Sequence, residues 1–279
     1  MTKKDTEAQK HRILILGASG YIGHALYKEL SPYFKTFGTY RTPLKAYTIN
    51  YHFFHYNLEE DDVFEILEVC KPTLIISALR GNFSAQTIAH QHIAEYAHAF
   101  GTKIIFLSSA NVFDAYSKYP SYELDKTLSH SIYGHFKIKI ENLFLRLPEE
   151  QVAILRLPMI FGISSPRIED MKRAIAEKEA VEIFPNLIMN VMHDKTLTQQ
   201  VHYIINRNKY GVFHLGSTDL VHHDDFTKEL LQRLFKKKVG LKQVYTTNED
   251  RYLAVLPKFN KLPKHLQVTS QDILEDLFK

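Results

Sequence analysis

Tyr133 and Lys137 stand four residues apart in the segment YGHFK. On an α-helix that spacing puts both on one face. An ammonium held near a phenol favours the phenolate and lowers the phenol's pKa from about 10. Such a tyrosine can give or take the proton of a carbonyl/alcohol pair while a nicotinamide moves the hydride. Ser109 follows the apolar run KIIFL at 103–107, where its hydroxyl can hydrogen-bond the same oxygen. A bare YxxxK occurs often by chance. A glycine turn, then a serine after a strand, then a YxxxK helix is a far more specific order.

That glycine turn is present. Gly17-Ala18-Ser19-Gly20-Tyr21-Ile22-Gly23 follows four apolar residues at 13–16 and opens a helix-like stretch at 21–30. Glycines permit a tight turn and let backbone approach a pyrophosphate. The helix N-terminus adds free N–H groups and partial positive charge. Dinucleotide choice is usually read at the end of the second strand, where an acidic residue binds the free 2′-hydroxyl of NAD. Here that region reads Gly38-Thr39-Tyr40-Arg41, with no carboxylate. Arg41 suits a 2′-phosphate through charge-assisted hydrogen bonds, so the pattern favours NADP over NAD.

These residues need a frame to hold them. Mostly apolar runs at 13–16, 73–78, 103–107 and 152–157 predict strands, and 35–40 and 53–56 read as two more. Helical stretches at 21–30, 61–69, 85–100 and 131–145 alternate with them, and Gly101 is placed to end the third. Such alternation predicts an α/β fold, a doubly wound parallel sheet with helices on both faces. Beyond 161 the pattern changes. Helices are expected at 168–178, 196–205, 224–235 and 270–278, with a short strand at 211–215. The expected organisation is a disordered tail at 1–11, a dinucleotide-binding domain at 12–162 and a smaller substrate lobe at 163–279. Parts of that lobe, about 194–217, are expected to pack back on the sheet.

Composition narrows the function classes. In 279 residues, 45% are hydrophobic and 24% charged, as in ordinary globular proteins. The net charge of +4 is too balanced to imply nucleic acid. No apolar run approaches the roughly 18 residues of a membrane span, and the polar amino terminus lacks a signal-peptide core. Cys70 is the single cysteine, which excludes an intrachain disulfide and a four-cysteine zinc site and suits a reducing, cytoplasmic compartment. The 15 histidines show no metal spacing, and no metal is expected. His222, His223, His90, His92 and His98 read as surface residues of helices or loops.

Taken together, GASGYIG at 17–23, FLSSANVFD at 106–114, YGHFKIKIE at 133–141 and LRLPMIFG at 155–162 resemble the extended short-chain dehydrogenase/reductases. The resemblance covers roughly residues 12–278 and is nearest the dTDP-4-dehydrorhamnose reductase-like branch. GVFHLGS at 211–217, Phe226 and the 24-residue spacing from Ser109 to Tyr133 point to the same branch. It implies an NADP-dependent reductase of a nucleotide-linked sugar with Ser109, Tyr133 and Lys137 as triad. It also implies a cofactor held by Gly17, Ser19, Gly20, Tyr21, Ile22, Gly23, Arg41, Asn57, Leu58, Ser77, Ala78, Leu79, Tyr133, Lys137 and Pro158. Asn57 and Leu58 would approach the adenine and Pro158 the nicotinamide. Partners implied are a nucleotide sugar, neither nucleic acid nor membrane, and compatibility with a homodimer.

The departures concern the substrate. Ala110-Asn111 stands where the branch often has Asp-Tyr and where related dehydratases carry Asp-Glu, so water elimination is disfavoured. The strand-end asparagine common near the nicotinamide is replaced in Ser77-Ala78-Leu79-Arg80, and the helical asparagine of many relatives aligns loosely with Gln86. Substrate contacts are expected from Ser109, Asn111, Arg167, Asn190 and His193, at the carboxyl ends of the strands beneath the carboxy-terminal lobe. An epimerase that retains its cofactor and a non-catalytic NADP-binding regulatory subunit are the alternatives.

Overall fold

The computed structural model describes residues 11–235 and 239–278. Most of the tail expected at 1–11 lies outside them. In chain order the first elements are β1 (Arg12–Leu16), α1 (Tyr21–Leu30), β2 (Lys35–Tyr40), α2 (Lys45–Thr48), β3 (Phe53–His55), α3 (Val63–Cys70) and β4 (Leu74–Ser77). There follow α4 (Phe83–Phe100), β5 (Lys103–Ser109), α5 (Ile132–Phe144), β6 (Val152–Leu157), β7 (Met159–Phe161), α6 (Pro166–Ala176), β8 (Val181–Ile183) and β9 (Leu187–Met189). The chain continues through β10 (Val191–His193), α7 (Asp194–Asn206), β11 (Gly211–His214), β12 (Val221–His222), α8 (His223–Leu234), β13 (Leu241–Gln243), β14 (Arg251–Leu253) and α9 (Ser270–Asp276).

Seven strands form one sheet in the order β11-β6-β5-β4-β1-β2-β3. The pairs β1/β2, β1/β4, β2/β3 and β4/β5 are parallel. This is the Rossmann-type, doubly wound order, which switches direction beside β1. The apolar run of β1 is buried because helices cover both faces: Ile13, Leu14, Ile15 and Leu16 are all fully inaccessible. Burying one such side chain stabilises the fold by roughly 1.5–3 kcal/mol.

Helix starts follow local chemistry. Asp62 caps α3, Asn82 caps α4, Ser165 caps α6 and Thr269 caps α9 in a capping box. Gly101 ends α4 in the left-handed conformation, φ 67°. The Ser165-Pro166 pair starts α6 two residues before the expected 168. Three-residue strands β7 and β10 pair in parallel, and neither is long enough to show periodicity in sequence.

The chain divides into two compact units. One contains the chain up to Ser108 together with Phe136–Leu155 and Thr198–Val212. Its core joins Leu14, Leu16, Ile75, Ile93, Phe106, Ile140 and Phe144. The other contains Ser109–His135, Arg156–Leu197 and Phe213–Lys279. Phe161, Ile168, Met189, Val191, Phe226 and Leu230 form its core. Among the described residues no helix is long and apolar enough to cross a membrane.

Candidate active site

In the first unit, parallel pairing brings the turns after β1, β2 and β4 to one edge of the sheet. Gly17 has φ +82°, and a Cβ there would meet the Ala78 carbonyl oxygen at 2.7 Å. A Cβ on Gly23 would lie 2.1 Å from the Gly17 oxygen, so only glycine lets α1 pack this close to the turn. Thr39 ties the turn to β2: its Oγ1 accepts from Gly17 N at 2.8 Å, and its carbonyl accepts from Ser19 N at 3.1 Å. Gly38 leaves room for Ala18, whose Cβ would be 2.5 Å from an added one. Helix α1 starts at Gly20 with no side-chain cap and no acidic residue in its first turn. Its free N–H groups carry partial positive charge.

Gly17, Ser19, Gly20, Arg41, Asn57, Leu58, Ala78 and Leu79 line one groove. Tyr21, Ile22 and Gly23 form the first turn of α1 behind it. Arg41 is exposed at the groove's rim. The same groove takes in Thr39, Tyr56, Arg80, Gly81 and Asn82, which sequence reasoning passed over as binding residues. Ser77 differs from expectation. It is 2% exposed, and its Oγ lies 2.8 Å from His90 Nε2. His90 Nδ1 lies 2.6 Å from the Gln86 carbonyl oxygen, so Nδ1 carries the hydrogen and Ser77 donates to Nε2. Ser77 thus supports the wall from behind. His90 is fully buried, not a surface residue, and burial pushes it down to about 3. Gln86 donates to the Gly81 carbonyl at 2.9 Å and so fixes the loop after β4.

Lys137, also in this unit, is 6% exposed. Its Nζ donates to the Leu107 carbonyl at 2.8 Å and lies 4.6 Å from the centre of the Phe106 ring. Burial pushes the ammonium down to about 8; Glu141 opposes that and Arg80 adds to it.

In the second unit, Ser109 ends β5 and caps a short 3-10 turn. Its hydroxyl donates to Asn111 Oδ1 at 3.0 Å and accepts from Asn111 N at 3.2 Å. Tyr133 stands in the first turn of α5, one turn before Lys137, and is 39% exposed. Gly134 brings the helix start against this turn: an added Cβ would lie 2.0 Å from Ser129 Oγ and 2.3 Å from the Asn111 carbonyl oxygen. Asp114 accepts from His130 N and from Ser131 Oγ. Burial pushes Asp114 up, but these hydrogen bonds overcome it and hold the carboxyl below its usual range. Gly134, Asp114 and Ser131 set where Tyr133 sits, and only the glycine within YGHFK offered a local signal.

Arg167 occupies the first turn of α6, its guanidinium partly desolvated and within electrostatic reach of Tyr133 and Asp170. Pro158 is buried, with Gly216 close against it. One expected substrate contact is placed otherwise. Asn190 is fully buried, and its amide donates to the Val255 carbonyl at 2.8 Å while its oxygen accepts from Val255 N at 3.1 Å. No end of it is left for a ligand. His193 is 8% exposed, and its Nδ1 accepts from Lys195 N at 3.2 Å. It closes the start of α7. His223 is buried as well, not on the surface as its sequence context suggests.

A strand-edge groove around a glycine turn, and a helix carrying Tyr133 and Lys137, define a Rossmann-type chain of the extended short-chain dehydrogenase/reductase class. The family described as the RmlD substrate binding domain matches residues 11–265, and the chain belongs to it. It is 24% identical to the dTDP-4-dehydrorhamnose reductase of Aggregatibacter actinomycetemcomitans over 248 residues, 82% of this chain and 81% of that one. It is 28% identical to methionine adenosyltransferase 2 subunit beta of Xenopus laevis over 179 residues, 58% of this chain and 51% of that one. The crystal structure of dTDP-4-dehydrorhamnose reductase from Bacillus anthracis, in complex with NADP, has the same fold. Its TM-score is 0.76 at 20% identity, over 97% of this chain and 98% of that one.

Proposed function

We propose that this chain is an NADP-dependent reductase of a keto group on a nucleotide-linked sugar. The observation that carries this reading is a half-exposed Tyr133 one helical turn before the buried ammonium of Lys137. The first unit fits the cofactor. Its glycine turn has no room for a Cβ at Gly17 or Gly23, its helix start is uncapped, and Arg41 at the groove's rim offers a cation for a 2′-phosphate. Gly17, Ser19 and Gly20 would take the pyrophosphate, Asn57 and Leu58 the adenine, and Ala78 and Leu79 the far wall. Similarity to a relative crystallised with NADP supports the same choice.

When bound, NADPH supplies the hydride to the carbonyl carbon. Tyr133 gives its hydroxyl proton to the carbonyl oxygen, leaving a phenolate that the Lys137 ammonium stabilises. The Ser109 hydroxyl turns from Asn111 to hydrogen-bond that oxygen. Arg167, close to Tyr133, suits the substrate's negative charge. Ala110 and Asn111 offer no carboxylate, so the site lacks the acid and base of water elimination.

A panel of nucleotide 4-keto sugars, beginning with dTDP-4-dehydrorhamnose, tests the reading by NADPH oxidation. Oxidation with one of them supports it. The 28% identity to a methionine adenosyltransferase subunit favours one second reading, a non-catalytic NADP-binding subunit. NADPH binding without turnover of any sugar, together with capture of a methionine adenosyltransferase catalytic chain, would replace the first reading by the second.

A further inference from the structure

Glu141 lies in α5, one turn beyond Lys137. It is 2% exposed, a rare setting for a carboxylate, and the reaction above does not use it. Ser108 Oγ donates to Glu141 Oε1. One residue earlier on β5, the Leu107 carbonyl accepts from Lys137 Nζ at 2.8 Å. Consecutive residues of β5 therefore hold two ionisable groups from consecutive turns of α5. A buried carboxylate and a buried ammonium are each costly without a counter-charge.

The groups that act on Lys137 come from three elements. Glu141 faces it from its own helix, Arg80 from the loop after β4, and His90 from α4. His90 is kept neutral by burial, and Arg80 repels an ammonium. The Phe106 and Phe136 rings offer only their faces. Among these groups only Glu141 brings negative charge.

We propose that Glu141 is a positioning residue, whose buried carboxylate, fixed by the Ser108 hydroxyl, keeps Lys137 charged at neutral pH. Its bearing on catalysis rests on the reading of Tyr133 and Lys137 given above. The pairing with Lys137 itself does not.

The test is a pH titration of Lys137 by NMR in protein carrying ε-13C lysine, with the resonance identified by its loss in Lys137→Met. Glu141→Gln keeps the side chain's size and an acceptor oxygen for Ser108 but removes the charge. The wild-type midpoint is expected at about 8. In Glu141→Gln it should fall by about one unit or more, which lowers the charged fraction at pH 8 about fivefold. An unmoved midpoint overturns the proposal. Should Glu141→Gln not fold, Glu141→Asp decides. It draws the carboxylate back by one methylene while keeping its charge, so a smaller shift in the same direction is expected, and no shift again overturns the proposal. The titration needs no substrate. Full turnover by Tyr133→Phe would sink the catalytic reading and leave the titration result standing.

Discussion

The groove around the glycine turn and the start of α5 are built by opposite means. The groove works by leaving atoms out. Gly17, Gly23 and Gly38 have no room for a Cβ, and α1 begins without a side-chain cap, as α2 and α8 also do. The start of α5 works by side-chain hydrogen bonds: Ser109 to Asn111, and Asp114 accepting from the Ser131 hydroxyl and the His130 backbone N–H. A site for phosphates needs bare N–H groups and space. A site for proton transfer needs one hydroxyl held at a defined point. The difference sorts the consequences of mutation. Damage to the groove should weaken cofactor binding, whereas damage near α5 should lower turnover or stability.

The largest effect expected is from Tyr133→Phe. Turnover should fall roughly 100- to 10,000-fold while NADPH affinity stays within about twofold, because the phenol moves a proton and holds no phosphate. Lys137→Ala should lose both. Steady-state rates and fluorescence titration of NADPH measure the two quantities, and a Tyr133→Phe variant with most of its turnover would break the comparison.

Gly134→Ala asks whether the α5 region also depends on a missing atom. The added methyl meets Ser129 and Asn111 well inside contact distance, and overpacking of this kind costs about 3 kcal/mol. Urea unfolding should show that loss. Wild-type stability in this variant would mean the turn at 109–113 moves freely.

Arg41→Ala sharpens the groove side. Charge-assisted hydrogen bonds contribute roughly 1.5–3 kcal/mol, so NADPH should bind about ten- to a hundredfold more weakly and NADH unchanged. Equal losses for both cofactors would remove Arg41 from the 2′-phosphate.

Asn190→Ala separates support from contact. It leaves the Val255 N–H and carbonyl unpaired inside the second unit, which costs about 1–3 kcal/mol. The thermal midpoint should drop while the Michaelis constant for a turned-over sugar holds. A raised Michaelis constant with unchanged stability would return Asn190 to the substrate.

The smallest effect per group comes from pH. His214 and His223 are held by burial at about 4 and His90 at about 3, all below the usual value of 6.5. The unfolded chain therefore takes up protons that the folded one refuses, so stability present above pH 6.5 drains away as pH falls toward 4. Near pH 5.5 the loss is about 1 kcal/mol for each histidine. Asp114 and Glu123, held below the ordinary carboxylate range by hydrogen bonds that outweigh burial, extend the loss to lower pH. A thermal midpoint that stays flat from pH 7 to 4.5 would contradict these environments.

Which parts were legible in sequence follows from how they are encoded. The helix at 21–30 and the strand at 152–157 lie where their apolar patterns put them, since each is long enough for burial to leave a pattern. The pairing of β7 with β10 was not legible, because three residues carry no period and the partner lies 32 positions away, Met159 against Val191. Asn190 looked like a ligand contact because a polar residue in an apolar run has two causes, a ligand or a buried backbone partner. Sequence does not distinguish them.

By itself the sequence determined the α/β alternation, the glycine turn and the family, each of which rests on short motifs of neighbouring residues and their order along the chain. Tertiary structure alone decided what the isolated polar residues do. It turned Asn190 toward Val255, His90 toward Ser77 and Glu141 toward Ser108. The physical reason is common to all three. A buried polar group must find a partner, and which partner depends on what the fold brings within 3 Å of it, not on the residues beside it in the chain.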